Sequence, residues 1–199
     1  MKRIVDILTA LFLLATLFPF MILIGILIVL SSNGPALFKQ IRVGRNGKNF
    51  SILKFRSMRK NTEHKGQLTV GGRDPRVTRI GYVLRKFKID EWPQLWNILV
   101  GEMSFVGPRP EVPKYVEMYN NQQRKVLDVR PGLTDLASIV YFSENEMLEK
   151  VADPEKEYVE IIMPAKLKLN LQHIDSQKTG KDIRIILMTL YRLIRRPEA

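Results

Sequence analysis

Two adjacent carboxylates, Asp90 and Glu91, lie in a stretch of the sequence that is rich in arginine and lysine. Arg85 precedes them, and Arg109 follows between two prolines in the segment 108–110. A carboxylate can attack phosphorus or bind a metal ion, and the planar guanidinium of arginine binds two phosphate oxygens at once. Because proline restricts the backbone, the segment 108–110 also limits where the Arg109 side chain can point. This combination predicts a site that acts on a phosphate ester.

The carboxylate pair also has a purely structural interpretation. Asp90 suits the N-cap of a short helix that ends at Gly101. Glu91 suits the first turn, where Pro93 is tolerated because a first-turn N–H has no helical partner. At such a helix N-terminus the dipole and the free N–H groups also favour anions. Capping would explain the carboxylates but not the arginines around them.

The composition limits the kinds of site and partner. The 199 residues include no cysteine, which excludes disulfides, thiolate metal sites and a cysteine nucleophile. The formal net charge is +12, and residues 39–60 carry eight Lys or Arg and no acid. A basic chain with a long apolar N-terminal stretch indicates an anionic membrane surface and anionic substrates. Nucleic acid is the competing partner. The sequence has no zinc-finger spacing, no RNA-binding signature and no evident DNA-reading helix, so no nucleic acid is predicted.

Residues 7–30 form an uncharged stretch that is long enough to span a bilayer as a helix. Pro19 lies at its middle, where it removes a backbone hydrogen bond and predicts a bend. Basic residues flank both ends, Lys2 and Arg3 before and Lys39 after, so the positive-inside rule gives no orientation. A helix that enters the membrane, bends at Pro19 and leaves on the same face accounts for both observations. Hydropathy alone also permits an ordinary span.

Periodicity and turn residues predict the remaining elements. They are a β-hairpin with strands at 38–43 and 48–55, a polar loop at 58–73, and helices at 77–87, 111–129, 158–173 and 183–194. The last helix is basic and amphipathic, so it can lie in the membrane interface or pack on the core as an ordinary surface helix. The predicted fold class is α+β and mostly helical. Residues 1–31 would be embedded in the membrane as a re-entrant helix, and residues 32–199 would form the catalytic domain.

Blocks of residues along nearly the whole chain match the motifs of one known family, in the family's order. The core blocks are Leu84-Arg85, Ile89-Asp90-Glu91, Pro93-Gln94-Leu95, Asn97, Gly101, Met103-Ser104 and the segment 106–110, and further blocks lie at 38–44, 54–58, 74–81 and 130–134. With these motifs the sequence resembles the bacterial sugar transferases. These are the monotopic phosphoglycosyl transferases that begin glycan assembly on a polyprenol phosphate.

The resemblance implies transfer of a phosphosugar from a nucleotide diphosphate sugar, with a UDP-sugar expected, to undecaprenyl phosphate. UMP would be released, and the product would begin a lipopolysaccharide, capsule, exopolysaccharide or glycoprotein glycan. The implied site residues are Asp90 and Glu91 as catalytic residues, Glu91 also as a Mg²⁺ ligand, and Lys54, Arg56, Arg85 and Arg109 as contacts to substrate phosphate. An Asp with its ordinary pKa is anionic at neutral pH, so Asp90 would attack without a base. The implied location is the bacterial inner membrane, with the catalytic domain on the cytoplasmic face.

At five positions the chain departs from the family pattern, and two of them are Asp135 and Ser138, where the family commonly has Gly and then Gln. Phe18 stands where a Ser often precedes the proline of the bend, and Asn170 and His173 stand where Asp and Tyr are usual. We therefore expect no catalytic role for Asn170, a structural role for His173, and a helix cap at Asp182.

Two other functions are compatible with much of the same sequence. A membrane-anchored, non-catalytic scaffold of glycan assembly would need the anchor and the basic surface but not the carboxylate pair. A glycosyltransferase proper would release a nucleoside diphosphate instead of a monophosphate. Metal-dependent release of nucleoside monophosphate separates the three. Neither the sugar nor the oligomeric state is predicted from the sequence.

Overall fold

A computed structural model describes residues 2–60, 68, 70–71, 74–176 and 179–195. The fold is α+β and mostly helical, as predicted. The helices are α1 Lys2–Ser31, α2 Arg79–Lys86, α3 Gln94–Val100, α4 Pro113–Val116, α5 Leu136–Val140, α6 Glu144–Glu149, α7 Pro154–Glu157, α8 Met163–Asp175 and α9 Thr179–Ile194. The strands are β1 Leu37–Val43, β2 Asn49–Phe55, β3 Ser104–Val106 and β4 Gly132–Thr134. Most of the predicted polar loop at 58–73 lies outside the described residues.

Helix α1 packs along the globular part of the chain over its whole length. One face of it carries apolar residues at helical spacing, and these join two core clusters. Ala10, Leu13, Leu14 and Leu17 pack with Phe50, Leu95 and Ile98, and Met21, Ile24 and Ile28 pack with Phe55 and Leu84. The other faces expose large apolar side chains such as Phe12, which is 68% exposed. By length and composition α1 could cross a membrane, and it stays helical through Pro19, so the bend remains a prediction.

The predicted hairpin is confirmed. Strands β1 and β2 pair antiparallel, with Phe38 opposite Lys54 and Val43 opposite Asn49. Asn46 and Gly47 turn the chain with φ values of 58° and 71°, the left-handed conformation that Asn and Gly tolerate best. Lys54 therefore lies near the end of β2, next to the segment that carries the two carboxylates.

The short strands β3 and β4 were not anticipated from the sequence. They pair in parallel, with Ser104 opposite Gly132 and Val106 opposite Thr134. This pairing brings the backbone of Gly107 against that of Gly132, so closely that a Cβ at Gly132 would lie 2.2 Å from the Gly107 nitrogen. The two glycines thus allow the segment containing Arg109 to be held against the segment that follows Arg130.

The prediction of one helix over 111–129 is wrong. Helix α4 ends at Val116, and a separate 3₁₀ turn covers Gln123–Asp128. Between them the side chains of Asn120 and Gln123 each accept a hydrogen bond from the other's backbone N–H, both at 2.9 Å. Such local side-chain bonds compete with the helical pattern and start a new turn. The predicted helices at 77–87, 158–173 and 183–194 correspond to α2, to a π turn Tyr158–Ile162 followed by α8, and to α9.

Candidate active site

The carboxylate pair lies in a single 3₁₀ turn, Ile89–Glu91, between α2 and α3. Lys88 begins this turn in the left-handed conformation, with φ 56° and ψ 20°, and its carbonyl accepts a hydrogen bond from Glu91 N at 3.2 Å. Pro93 is the residue that precedes α3. The prediction that Asp90 caps the helix is therefore wrong, because Lys88 and Pro93 occupy the two cap positions. Both carboxylates are buried, at 6% and 7% exposure for Asp90 and Glu91.

Glu91 receives cations from two distant parts of the chain. Arg109 binds it with both terminal nitrogens: Nη1 lies 3.3 Å from Oε2, and Nη2 bonds Oε1. Lys54 Nζ, from the end of β2, lies 3.3 Å from the same Oε1. The structure therefore brings together three of the predicted site residues, from β2, the carboxylate turn and the loop after β3.

The loop that carries Arg109 is held on both sides by hydrogen bonds. Arg109 N donates to Asp135 Oδ2 at 3.1 Å, and the other oxygen of Asp135 caps α5 by accepting from Ser138 N. Arg42 Nη1 donates to the carbonyl of Pro110 at 2.9 Å. Sequence reasoning noted Asp135 only as a departure from the family pattern and did not anticipate that it positions the loop. These contacts restrain the guanidinium more than the prolines alone would.

Arg85 and Arg56 have different surroundings. Arg85 Nε donates to Ser57 Oγ at 2.8 Å. Burial lowers the pKa of Arg85, and the negative charge of nearby Asp90 opposes this shift. Arg56 turns away to the C-terminus of α1. There it donates to the carbonyls of Asn33, Ile28 and Ser32 and to the Ser32 hydroxyl. The carbonyls of Ser32 and Asn33 follow the last residue of α1, so Arg56 secures the end of this helix and lies outside the cluster around Glu91. Its contact to substrate phosphate stays a prediction.

The two neighbouring carboxylates have opposite pKa shifts. Burial, and then the charge of Glu91, raises the pKa of Asp90 above its usual value. Burial would also raise the pKa of Glu91, but Arg109 and Lys54 hold that pKa well below its usual range. Burial lowers the pKa of Lys54 to about 8, although Glu91 opposes the shift. The assumption of an ordinary pKa for Asp90 is therefore incorrect. Neighbouring groups with divergent pKa values are typical of catalytic sites.

One oxygen of Asp90 lacks a structural partner. Asp90 Oδ1 is buried and has no hydrogen-bond partner among the residues that the structure describes. A buried carboxylate oxygen that stabilises a fold is normally paired, so this atom is not explained by a structural role. Within the same described ranges no group of three or more metal-ligating side chains occurs. The role of Glu91 as a Mg²⁺ ligand stays a prediction.

His173, one of the residues at which the chain departs from the family pattern, lies in a separate contact with Asp182. His173 Nε2 lies 3.1 Å from Asp182 Oδ1, and Asp182 Oδ2 lies 2.8 Å from Lys2 Nζ. Asp182 is inside the first turn of α9, so its predicted capping role is replaced by these side-chain contacts. His173 and Asp182 thus join α8 and α9 to the start of α1, which fits the structural role expected for His173. Asn170 is buried in α8.

Comparison with known proteins is consistent with this geometry. The sequence model of the family described as "Bacterial sugar transferase" matches residues 1–196. A Bacillus subtilis protein, whose name provisionally describes an undecaprenyl-phosphate N-acetylgalactosaminyl 1-phosphate transferase, is 47% identical over 61% of this chain and 68% of its own length. A Caulobacter vibrioides UDP-glucose:undecaprenyl-phosphate glucose-1-phosphate transferase is 35% identical over 97% of this chain and 69% of its own length.

A third relative is longer. The UDP-N-acetylgalactosamine-undecaprenyl-phosphate N-acetylgalactosaminephosphotransferase of Aeromonas hydrophila is 42% identical over 70% of this chain, and the alignment spans 34% of that protein. The family model thus covers nearly the whole chain. The chain therefore belongs to the bacterial sugar transferase family of enzymes.

Proposed function

We propose that this chain transfers a sugar 1-phosphate from a UDP-sugar to undecaprenyl phosphate, with release of UMP, through a phosphosugar bound to Asp90. The observation that carries the proposal is the buried, unpartnered Oδ1 of Asp90 beside a Glu91 that is paired with Arg109 and Lys54. The relatives' names describe transfer of a sugar phosphate to the same lipid phosphate, which supports the choice of substrates.

The proposed reaction has two displacements at one phosphorus atom. In the first, an oxygen of Asp90 forms a bond to the phosphorus that carries the sugar, and the bond from that phosphorus to the bridging oxygen breaks. UMP leaves with the bonding electron pair. In the second, an oxygen of undecaprenyl phosphate attacks the same phosphorus, and the bond to Asp90 breaks. Each step joins two anions, so the cations Arg109, Lys54 and Arg85 are needed to offset their repulsion.

The carboxylate pair fits Mg²⁺, because that ion is commonly held by one or two carboxylates and takes its other ligands from water and substrate phosphate. Glu91, with Asp90, would hold it, and the bound ion would neutralise negative charge on the diphosphate. Both oxygens of Glu91 accept hydrogen bonds from Arg109. We therefore propose that, when the ion and the nucleotide sugar bind, at least one Arg109 nitrogen leaves Glu91 and donates to the substrate phosphate.

A panel of UDP-sugars tests the reaction. Purified enzyme with undecaprenyl phosphate and Mg²⁺ should release UMP with one or a few of them, in proportion to lipid-linked product. Release of UDP in place of UMP would instead identify a glycosyltransferase. If no sugar in the panel supports release of either nucleotide, the scaffold function is favoured.

The contacts of α1 favour a helix whose two ends lie on the same face of the membrane. At its start Lys2 Nζ donates to the carbonyl of Val106 at 2.9 Å, and Arg3 donates to carbonyls at the end of α3. At its end Arg56 binds the last carbonyls. A helix of this length rises about 45 Å, which exceeds the hydrocarbon thickness of about 30 Å. An ordinary span would place one of these polar contact sets, together with its globular partners, across the bilayer. We therefore propose a monotopic enzyme of the inner membrane, facing the cytoplasm.

Cysteine labelling tests this topology cleanly, because the chain has no native cysteine. We expect Lys2→Cys and Lys48→Cys, the latter in the hairpin turn, to react with a membrane-impermeant maleimide from the same side of sealed, oriented vesicles. Neither should react from the other side until the vesicles are opened. Labelling of the two positions from opposite sides would contradict the monotopic arrangement.

The pKa values predict a bell-shaped pH profile for UMP release in the absence of lipid acceptor. On the acid side the rate should fall as the raised pKa of Asp90 is crossed, because a protonated carboxyl is a poor nucleophile. On the alkaline side the second-order rate constant should fall above pH about 8, because Lys54 then loses its charge in the free enzyme.

Lys54→Arg provides the control, since arginine keeps its charge over this range. The alkaline fall in rate should move to higher pH, beyond the measured range, while the acid limb of the profile keeps its pH. An unchanged alkaline limb in Lys54→Arg would show that another group titrates there.

A further inference from the structure

Two buried polar atoms near each other along the chain lack hydrogen-bond partners. One is Asp90 Oδ1, and the other is the amide nitrogen Nε2 of Gln94, whose side chain is 1% exposed. Neither has a partner in the part of the chain that the structure describes. A buried donor without an acceptor destabilises a fold, so such atoms in native proteins call for an explanation. The pair includes one acceptor and one donor.

The backbone places Gln94 on the same helical face as the carboxylates. The 3₁₀ turn Ile89–Glu91 continues into α3 without a break, and Leu95 N donates to the Trp92 carbonyl at 3.0 Å. Gln94 is four residues beyond Asp90 and three beyond Glu91. Residues at these spacings are neighbours on a helix surface. This spacing therefore places the amide donor on the face of the chain that carries the carboxylate proposed to attack phosphorus.

A comparison within α3 shows that burial alone does not leave an amide unpaired. Asn97, also 1% exposed, uses its whole side chain. Its Oδ1 accepts from Leu53 N at 3.0 Å, and its Nδ2 donates to the Ser51 carbonyl at 2.9 Å and to Glu102 Oε2 at 2.6 Å. Asn97 thus fastens α3 to β2. Gln94 has no such structural partner for its amide nitrogen within the described ranges, although it is equally buried.

We propose that Gln94 Nε2 donates a hydrogen bond to a non-bridging oxygen of the phosphate that Asp90 attacks. The inference rests on the proposed function and adds a substrate-contacting residue to it. A single phosphoryl group would then satisfy both unpartnered atoms, since its phosphorus faces Asp90 and one of its oxygens accepts from Gln94. A neutral amide does not add charge to the site. It fixes the orientation of the phosphoryl group while the cations supply the charge.

Gln94→Met tests the donor, because methionine has similar length and no hydrogen-bonding N–H. Removing an unpaired buried amide should leave the melting temperature unchanged or raise it. The rate of UMP release without acceptor should fall about 10²-fold, the usual size for loss of one donor to a reacting group. The peptide containing Asp90 should still gain the mass of a phosphosugar, more slowly. Gln172→Met, an exposed residue of α8, should match wild type in every measurement.

Three results separate the possible failures. Wild-type-like rates in Gln94→Met, with unchanged stability, would overturn the donor role while leaving the proposed function intact. A lowered melting temperature together with lost activity would overturn it as well, because Gln94 would then hold a structural hydrogen bond. Absence of UMP release from the wild-type enzyme with every sugar and with lipid would reject the proposed function itself.

Discussion

Asp90→Asn should yield a folded enzyme whose turnover is lower by a factor on the order of 10⁴ or more, as for loss of other catalytic nucleophiles. Asparagine has the same size but no anionic oxygen to attack phosphorus. The variant should fold normally, because burial disfavours the charged form of Asp90 and the neutral amide removes that cost. Asp128→Asn, which alters an exposed carboxylate, serves as the control and should keep full activity.

The same experiment distinguishes covalent catalysis from direct displacement. Wild-type enzyme given UDP-sugar without undecaprenyl phosphate should release up to one equivalent of UMP. Mass spectrometry should then find a phosphosugar on the peptide that contains Asp90, and Asp90→Asn should show neither signal. A label on another residue, or UMP release that begins only when lipid is added, would reject Asp90 as the nucleophile.

Arg109→Lys should lower activity by about 10²- to 10³-fold, the second-largest effect that we expect. Lysine keeps the positive charge and can still pair with Glu91, so the fold should be preserved. It lacks the planar fork that binds two oxygens at once. The ammonium group of lysine cannot bind Glu91 and the substrate phosphate with the two parallel N–H groups that the guanidinium of Arg109 offers.

The matched control is Arg124→Lys, an exposed arginine on the 3₁₀ turn Gln123–Asp128. Turnover and the melting temperature of that variant should equal those of wild type. Near-complete activity in Arg109→Lys would show that charge alone suffices at position 109 and that the bidentate role is wrong.

The motif residues could be assigned to one cluster from the sequence, but their local roles could not. Lys54, Glu91 and Arg109 meet as the family motifs imply. Arg56 was predicted as a phosphate contact together with Lys54 because both lie in one family motif. Strand β2 ends at Phe55, so Arg56 is free to turn toward α1. The end of a strand depends on tertiary contacts that periodicity does not reveal.

The role of Asp135 and the parallel pairing of β3 with β4 could not be predicted from the sequence for a related reason. Each strand has only three residues, too few for an alternating pattern. The hydrogen bond from Arg109 N to Asp135 joins residues 26 apart in sequence. In the same way, the capping role expected for Asp90 was lost because the left-handed Lys88 starts the helical path two residues earlier. Long-range pairings and single unusual dihedral angles decide these positions.

The packing of α1 has a consequence for how the enzyme can be produced. Residues of α1 complete two clusters that contain Phe50, Ile98 and Phe55. They also satisfy polar groups inside the globular part. Asp6 accepts a hydrogen bond from the buried Ser104 hydroxyl at 2.8 Å, and the end of α1 accepts from Arg56. Helix α1 is therefore part of the hydrophobic core and not a separate membrane anchor. Removing α1 to obtain a soluble catalytic fragment would expose apolar surface and leave the buried guanidinium of Arg56 without its hydrogen-bond acceptors. We therefore expect that the intact chain must be purified in detergent or lipid.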